Sequence, residues 1–266
     1  MQDVPRTQEA AKAAVAEIKK ELGDDFAVER LNDVFFIACN DTAWSFDKYK
    51  GTINRVYAFL TSTYLKTKPT KPLRVYLFRD KESYDSYVKK SSGREPTTPF
   101  GFYLAGERKM VMNISTGTGT LAHELVHPLL AEDFPDVPAW FNEGFASLFE
   151  MSETNRDGRI VGLVNWRLPG LQQAMRKGTA ISLPDLVKTN LAQFYADNTG
   201  VNYATARYLI YWLQEKELLL AFYNEFKATV KVDGTGRNAL ETVTGKKLDE
   251  FEPEWREFVK KLEYRR

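Results

Sequence analysis

Apolar positions recur along this chain with two periods, near 3.6 and near 2, and the switches between them mark out its elements. Over residues 7–22, Ala11, Ala14, Val15, Ile18 and Leu22 fall on one helical stripe, and Gly23 follows as a stop. Residues 26–30 and 34–38 read as short strands joined by a turn at Leu31-Asn32-Asp33. Helical spacing returns over 46–65, with Tyr57, Leu60 and Tyr64 facing inward. A linker at 66–72 leads into Leu73–Phe78, the most strand-like stretch of the chain. Asp80 caps a helix reaching about Lys90, residues 91–99 are a loop, and 100–105 and 109–114 are strands around a turn at Gly106-Glu107-Arg108.

The second half is patterned mainly as helix. Trp140, Phe141, Phe145, Leu148 and Phe149 recur at helical spacing over 139–150. A polar turn at 154–159 precedes the apolar run 160–164, and helices follow at 169–177, from 182, and at 202–213. Beyond Leu218 the chain reads as helices with mixed charged faces, the last carrying Leu248, Phe251, Trp255, Phe258 and Leu262. No internal repeat or low-complexity tract interrupts this order.

Candidate chemistry is concentrated in one place. The chain has two histidines, and both lie in His123-Glu124-Leu125-Val126-His127. On a helix, positions i and i+4 stack on one face, so both imidazoles can reach one metal ion. Glu124, beside the first histidine, is where a general base would take a proton from an activated water. Pro128, next after His127, crowds the carbonyl of Glu124, and a kink is expected there. A catalytic zinc keeps three protein ligands, so a third is required. Residues 131–138, with two prolines and three acids, read as a loop, which makes Glu132, Asp133 and Asp136 poor candidates. Glu143 lies on or beside the apolar face of the next helix, where a carboxylate has to be paired or metal-bound, since burying it alone costs several kcal/mol.

His-Glu-x-x-His followed by Trp140-Phe141-Asn142-Glu143-Gly144-Phe145-Ala146-Ser147 resembles the gluzincin zinc metallopeptidases. The second segment is similar to the one that supplies the glutamate ligand in aminopeptidase N-like enzymes. The resemblance covers roughly residues 98 to 215. It implies zinc held by His123, His127 and Glu143, with Glu124 as catalytic base. Fifteen residues separate His127 from Glu143, a short interval that fits the compact bacterial proteins grouped as peptidase-MA-like. The fold it implies is α+β and zincin-like: an N-terminal half (1–131) with a small mixed sheet and the zinc helix, and a mainly helical C-terminal half (132–266) carrying the glutamate. The zinc would lie in the cleft where the halves meet.

The same resemblance places residues 109–114 at the sheet edge, where an extended peptide substrate adds as a strand, with Met110, Met112 and Asn113 as substrate-binding residues. The run Met110-Val111-Met112-Asn113 lacks the acid with which aminopeptidases capture a free amino terminus, which favours an endopeptidase. Tyr203 on the 202–213 helix resembles the tyrosine that stabilises the oxyanion, with Tyr208 the alternative, and Arg207 is a candidate for binding a substrate carbonyl or carboxylate. The plainer alternatives are another core strand, interior tyrosines and a surface arginine.

Composition removes some partners. A net charge of +1 gives no reason to expect nucleic acid or an anionic membrane, and an apolar fraction of 43% marks a folded chain. No run of 18 apolar residues is present to span a membrane. The single Cys39 excludes an intrachain disulfide framework. Met1-Gln2-Asp3-Val4-Pro5 shows no export signal, and a mature periplasmic or extracellular form with its signal removed is one expectation. Two other classes remain open: a scaffold that keeps the zinc site for binding, and a hydrolase of glycopeptides or non-protein amides on the same framework. The intact Glu124 argues against the scaffold.

Overall fold

The computed structural model describes residues 8–197 and 200–265, so the expected helix start at residue 7 lies outside the described residues. The protein is mixed α/β, with a small mixed sheet and a majority of helix. It divides into two compact units, one running to Thr61 and over Lys66–Glu132, the other comprising Ser62–Leu65 and the chain from Asp133 onward.

The first unit contains α1 (Gln8–Leu22), β1 (Ala27–Leu31), β2 (Phe35–Cys39), α2 (Ala43–Thr63), β3 (Leu73–Phe78), α3 (Lys81–Ser92), β4 (Gly101–Leu104), β5 (Lys109–Asn113), a 3-10 turn (Ile114–Thr116) and α4 (Thr118–Asp133). Its five strands are ordered β1-β2-β3-β5-β4. β2, β3 and β5 run parallel, while β1 and β4 are antiparallel to their neighbours. Helices on both faces explain why β2 and β5 are buried at every position rather than at alternate ones. Phe36, Ala38, Tyr76, Phe78 and Val111 pack with Ala11 and Ile18 of α1 and with Tyr84 and Val88 of α3. On the other face Phe35 meets Tyr57 of α2 edge-to-face at 5.2 Å. Glu21 ties these layers together, accepting from Tyr76 Oη (2.7 Å), Tyr87 Oη (2.7 Å) and Lys109 Nζ (3.0 Å). Burial raises its pKa, but the two phenols and Lys109 outweigh that and hold it below the usual value.

One expectation is overturned here. β5 is not an edge strand: β3 pairs with one side and β4 with the other. Met110 and Met112 are fully buried. Asn113 is buried, accepting from the Ser115 N–H and hydroxyl while its Nδ2 donates to the Pro99 carbonyl. These three side chains close the core and cap the turn before α4, which leaves them nothing to offer a substrate. On this side of the sheet the edge strand is β4. The bond from Asn113 N to Phe100 O (2.9 Å) sets the ladder's phase, so Phe102 faces β5 with its backbone groups and Tyr103 turns its own outward.

The second unit contains α5 (Ala139–Leu148), the hairpin β6 (Ser152–Thr154) and β7 (Ile160–Gly162), α6 (Leu168–Lys177), α7 (Leu183–Leu186), α8 (Leu191–Tyr195), α9 (Val201–Glu215), α10 (Leu219–Thr229), α11 (Arg237–Thr244) and α12 (Leu248–Lys261). Its core is built on α5 and α9. A Cβ added at Gly144 would come within 2.9 Å of the Ala206 carbonyl oxygen, so these helices touch backbone to backbone at a point that tolerates no side chain. Phe134, Trp140, Phe141, Phe222 and Phe226 form an aromatic cluster on the flank of α5. Trp255 of α12 donates its indole N–H to the Tyr208 carbonyl (3.0 Å), fixing the last helix on α9.

Candidate metal centre

α4 runs from Thr118 through Pro128 to Asp133, so the proline does not end the helix, and Ala131–Asp133 belong to it rather than to a loop. The ring centroids of His123 and His127 lie 4.9 Å apart, as one helical turn dictates. Arg108, in the turn before β5, pairs with Glu132 and donates to the Lys71 and Pro72 carbonyls, which anchors the end of α4.

His123, His127 and Glu143 each offer one ligand atom, and these atoms all lie within 4.8 Å of one another. His123 and Glu143 are buried and His127 half-buried. Two imidazoles and a carboxylate can hold a metal ion. Donor atoms around one tetrahedral ion with bonds of about 2.1 Å stand roughly 3.4 Å apart. The nearby acids have other partners: Glu132 has Arg108, Asp133 accepts from Tyr223 Oη (2.7 Å) and pairs with Lys227 (2.6 Å), and Asp136 pairs with Lys231 (2.6 Å). Glu124 is half-buried, on the same turn of α4 as His123.

In the second unit a polar network surrounds Glu143. Tyr195 Oη donates to Glu143 Oε1 at 2.5 Å. Burial, the Glu143 charge and its hydrogen bond, and neighbouring Tyr203 push the Tyr195 pKa well above the ordinary phenol value, so the group keeps its proton. The Tyr203 ring packs against Phe194 (5.1 Å) and Tyr195 (6.0 Å) and lies under the Arg167 guanidinium (5.4 Å). Arg167 is in turn held by both oxygens of Glu150, at 2.7 and 3.0 Å. This fork fixes the cation that orients the Tyr203 ring.

The remaining expected residues are placed differently. Tyr208 is fully buried, its hydroxyl accepting from Asn165 N (3.1 Å) and donating to Asn165 O (3.2 Å). Arg207 has no exposed surface, and its Nη2 donates to the Leu163 carbonyl (2.5 Å). It is an internal brace for the segment between β7 and α6, in place of the exposed position expected of a substrate contact. Tyr195 is the residue that sequence reasoning missed. The signal available was the pair Asn190 and Gln193, which form the capping box of its five-residue helix; that marks a helix start and says nothing of which carboxylate the tyrosine meets.

No curated protein matches the chain. Residues 117–233 match a family model described as a protein of unknown function (DUF1570). That span contains His123, Glu124, His127, Glu143, Tyr195 and Tyr203, so the part of the chain similar to this family is the part that carries the candidate centre.

Proposed function

We propose that this protein is a zinc-dependent peptidase of the gluzincin kind with a zincin-like fold, cleaving within extended peptides rather than at a free amino terminus. The observation that carries the reading is the cluster of His123, His127 and Glu143 with Glu124 between the histidines. The donor set suits zinc, which when bound polarises a carbonyl and acidifies a water molecule. Glu124 takes the proton of the attacking water and returns it to the leaving amine. Tyr203, half-buried and held by Arg167, donates to the oxyanion, a contribution of about 10²–10³-fold for one such donor.

Substrate is expected on β4. It is an edge strand of the sheet that precedes α4, its Tyr103 backbone groups point away from β5, and Phe100 and Leu104 expose apolar side chains at its ends. The stretch Gly101–Leu104 has no acid to bind an amino terminus, which supports internal cleavage.

Incubation of wild type and Glu124→Gln, loaded equally with zinc, with a mixed peptide library tests the reading. Cleavage by wild type is expected to fall about 10²–10⁴-fold in the variant. Equal cleavage by both, or none by either, would overturn it. Cleavage confined to glycopeptides or non-protein amides added to the library would reassign the substrate while keeping the chemistry.

A further inference from the structure

Tyr195 is half-exposed at 46%, yet its hydroxyl turns inward to Glu143, which is 6% exposed. What holds it is the anchoring of α8. Phe194, its neighbour, is fully buried and stands perpendicular to the Tyr195 ring at 5.4 Å. Asn202 Nδ2 of α9 donates to the Phe194 carbonyl (3.1 Å), and the Asn190–Gln193 capping box closes the helix start. A five-residue helix is thus tied down at both ends, and the result is one phenol aimed at one carboxylate oxygen.

We propose that Tyr195 is a positioning residue for Glu143: its phenol occupies Oε1 and thereby presents Oε2 to the metal. The inference rests on the metal reading above. A glutamate side chain turns about three bonds and can offer either oxygen, or both. A fixed donor on Oε1 removes most of that freedom before the ion arrives and withdraws lone-pair density from the oxygen it occupies. Partners of this kind, one step out from the metal, typically set affinity by about 10–100-fold.

The test is zinc affinity, measured by competition with a chromophoric chelator, together with the visible spectrum of the cobalt(II)-substituted protein. Tyr195→Phe keeps the ring and loses only the hydroxyl, and it is expected to weaken zinc about 10–100-fold and to shift the cobalt absorption. The melting temperature of the metal-free protein should stay close to that of wild type. Leu191→Ala, exposed on the same helix, serves as control and should hold affinity within about two-fold. Asn190→Ala loosens α8 without touching the phenol and should give a smaller loss in the same direction. A Tyr195→Phe protein that matches wild type in affinity and cobalt spectrum overturns this inference and leaves the zinc reading standing. A wild type that takes up no metal overturns both.

Discussion

On α4, the helical period alone brings two candidate ligands together: His123 and His127 are one turn apart, and their rings meet at 4.9 Å. On α5, the helix supplies a single ligand, and its aim depends on contacts with elements remote in the chain. Gly144 lets α9 approach to backbone contact, the aromatic cluster holds the flank, and Tyr195, 52 positions away, reaches the carboxylate. A ligand pair written into one helix is robust to its surroundings. A ligand placed by packing is only as well aimed as the packing, and the two helices should respond differently to substitution.

The largest effect is expected at Arg167. Arg167→Met leaves Glu150, whose side chain is 7% exposed, without its bidentate partner. Removing one member of a buried pair costs several kcal/mol, and Arg167 itself is partly exposed, so a loss of about 2–3 kcal/mol is expected in denaturant unfolding. Activity should fall further than stability accounts for, because Tyr203 loses the cation over its ring. Unchanged stability would show that this fork does not support the second unit.

Gly144→Ala is the next test, and the sharpest for α5. The added methyl has 2.9 Å to the Ala206 carbonyl oxygen, so the helices must part. Overpacking of this kind typically costs about 1–3 kcal/mol, and zinc affinity should drop with it, since Glu143 is the adjacent residue. Full affinity in a destabilised Gly144→Ala protein would mean that Glu143 is aimed independently of the α5–α9 contact.

On α4 the matching substitution should do little. Pro128→Ala restores a backbone donor at a position where the helix already continues, and proline is the poorest residue in a helix interior. Stability equal to or above wild type, with metal retained, is expected in calorimetry and metal analysis. Loss of metal would show that the histidine pair depends on Pro128 after all.

The smallest effect concerns Glu21, remote from both ligands. Its pKa is held below the ordinary value of 4.5 by Tyr76, Tyr87 and Lys109 acting against burial. A carboxylate depressed in the folded state contributes stability that is fully present above its unfolded pKa and lost as pH falls through the folded one. Wild type should therefore lose more stability than Glu21→Gln as pH drops from 5 to well below 4.5. Parallel acid titrations of the two proteins would remove Glu21 from the account.

What the sequence shows directly follows the same division between local and remote. Leu73–Phe78 appears as a strand with both ends correct because its apolar run is bounded by a proline-rich linker and a capping aspartate. The histidine pair and Glu124 are visible because their relation is a spacing of four. Glu143 is visible as an acid on an apolar helix face, a local conflict. The edge of the sheet is not visible: strand order depends on whether β4 or β5 pairs with β3, and two short strands joined by a turn do not announce which. Arg207 reads as a substrate-binding residue or a surface cation because charge is the ordinary sign of exposure, and nothing nearby in the chain announces the Leu163 carbonyl that receives it. The short strand β6 and the helix α8 are too brief for either period to register.

The most direct test of the central claim is metal stoichiometry, by elemental analysis after exposure to zinc and exhaustive dialysis, in wild type, His127→Ala and Glu143→Ala. One zinc per wild-type chain, lost in both variants while their folded signal persists, is the predicted result. A wild type that retains no metal, or variants that retain it as well as wild type does, would contradict the account.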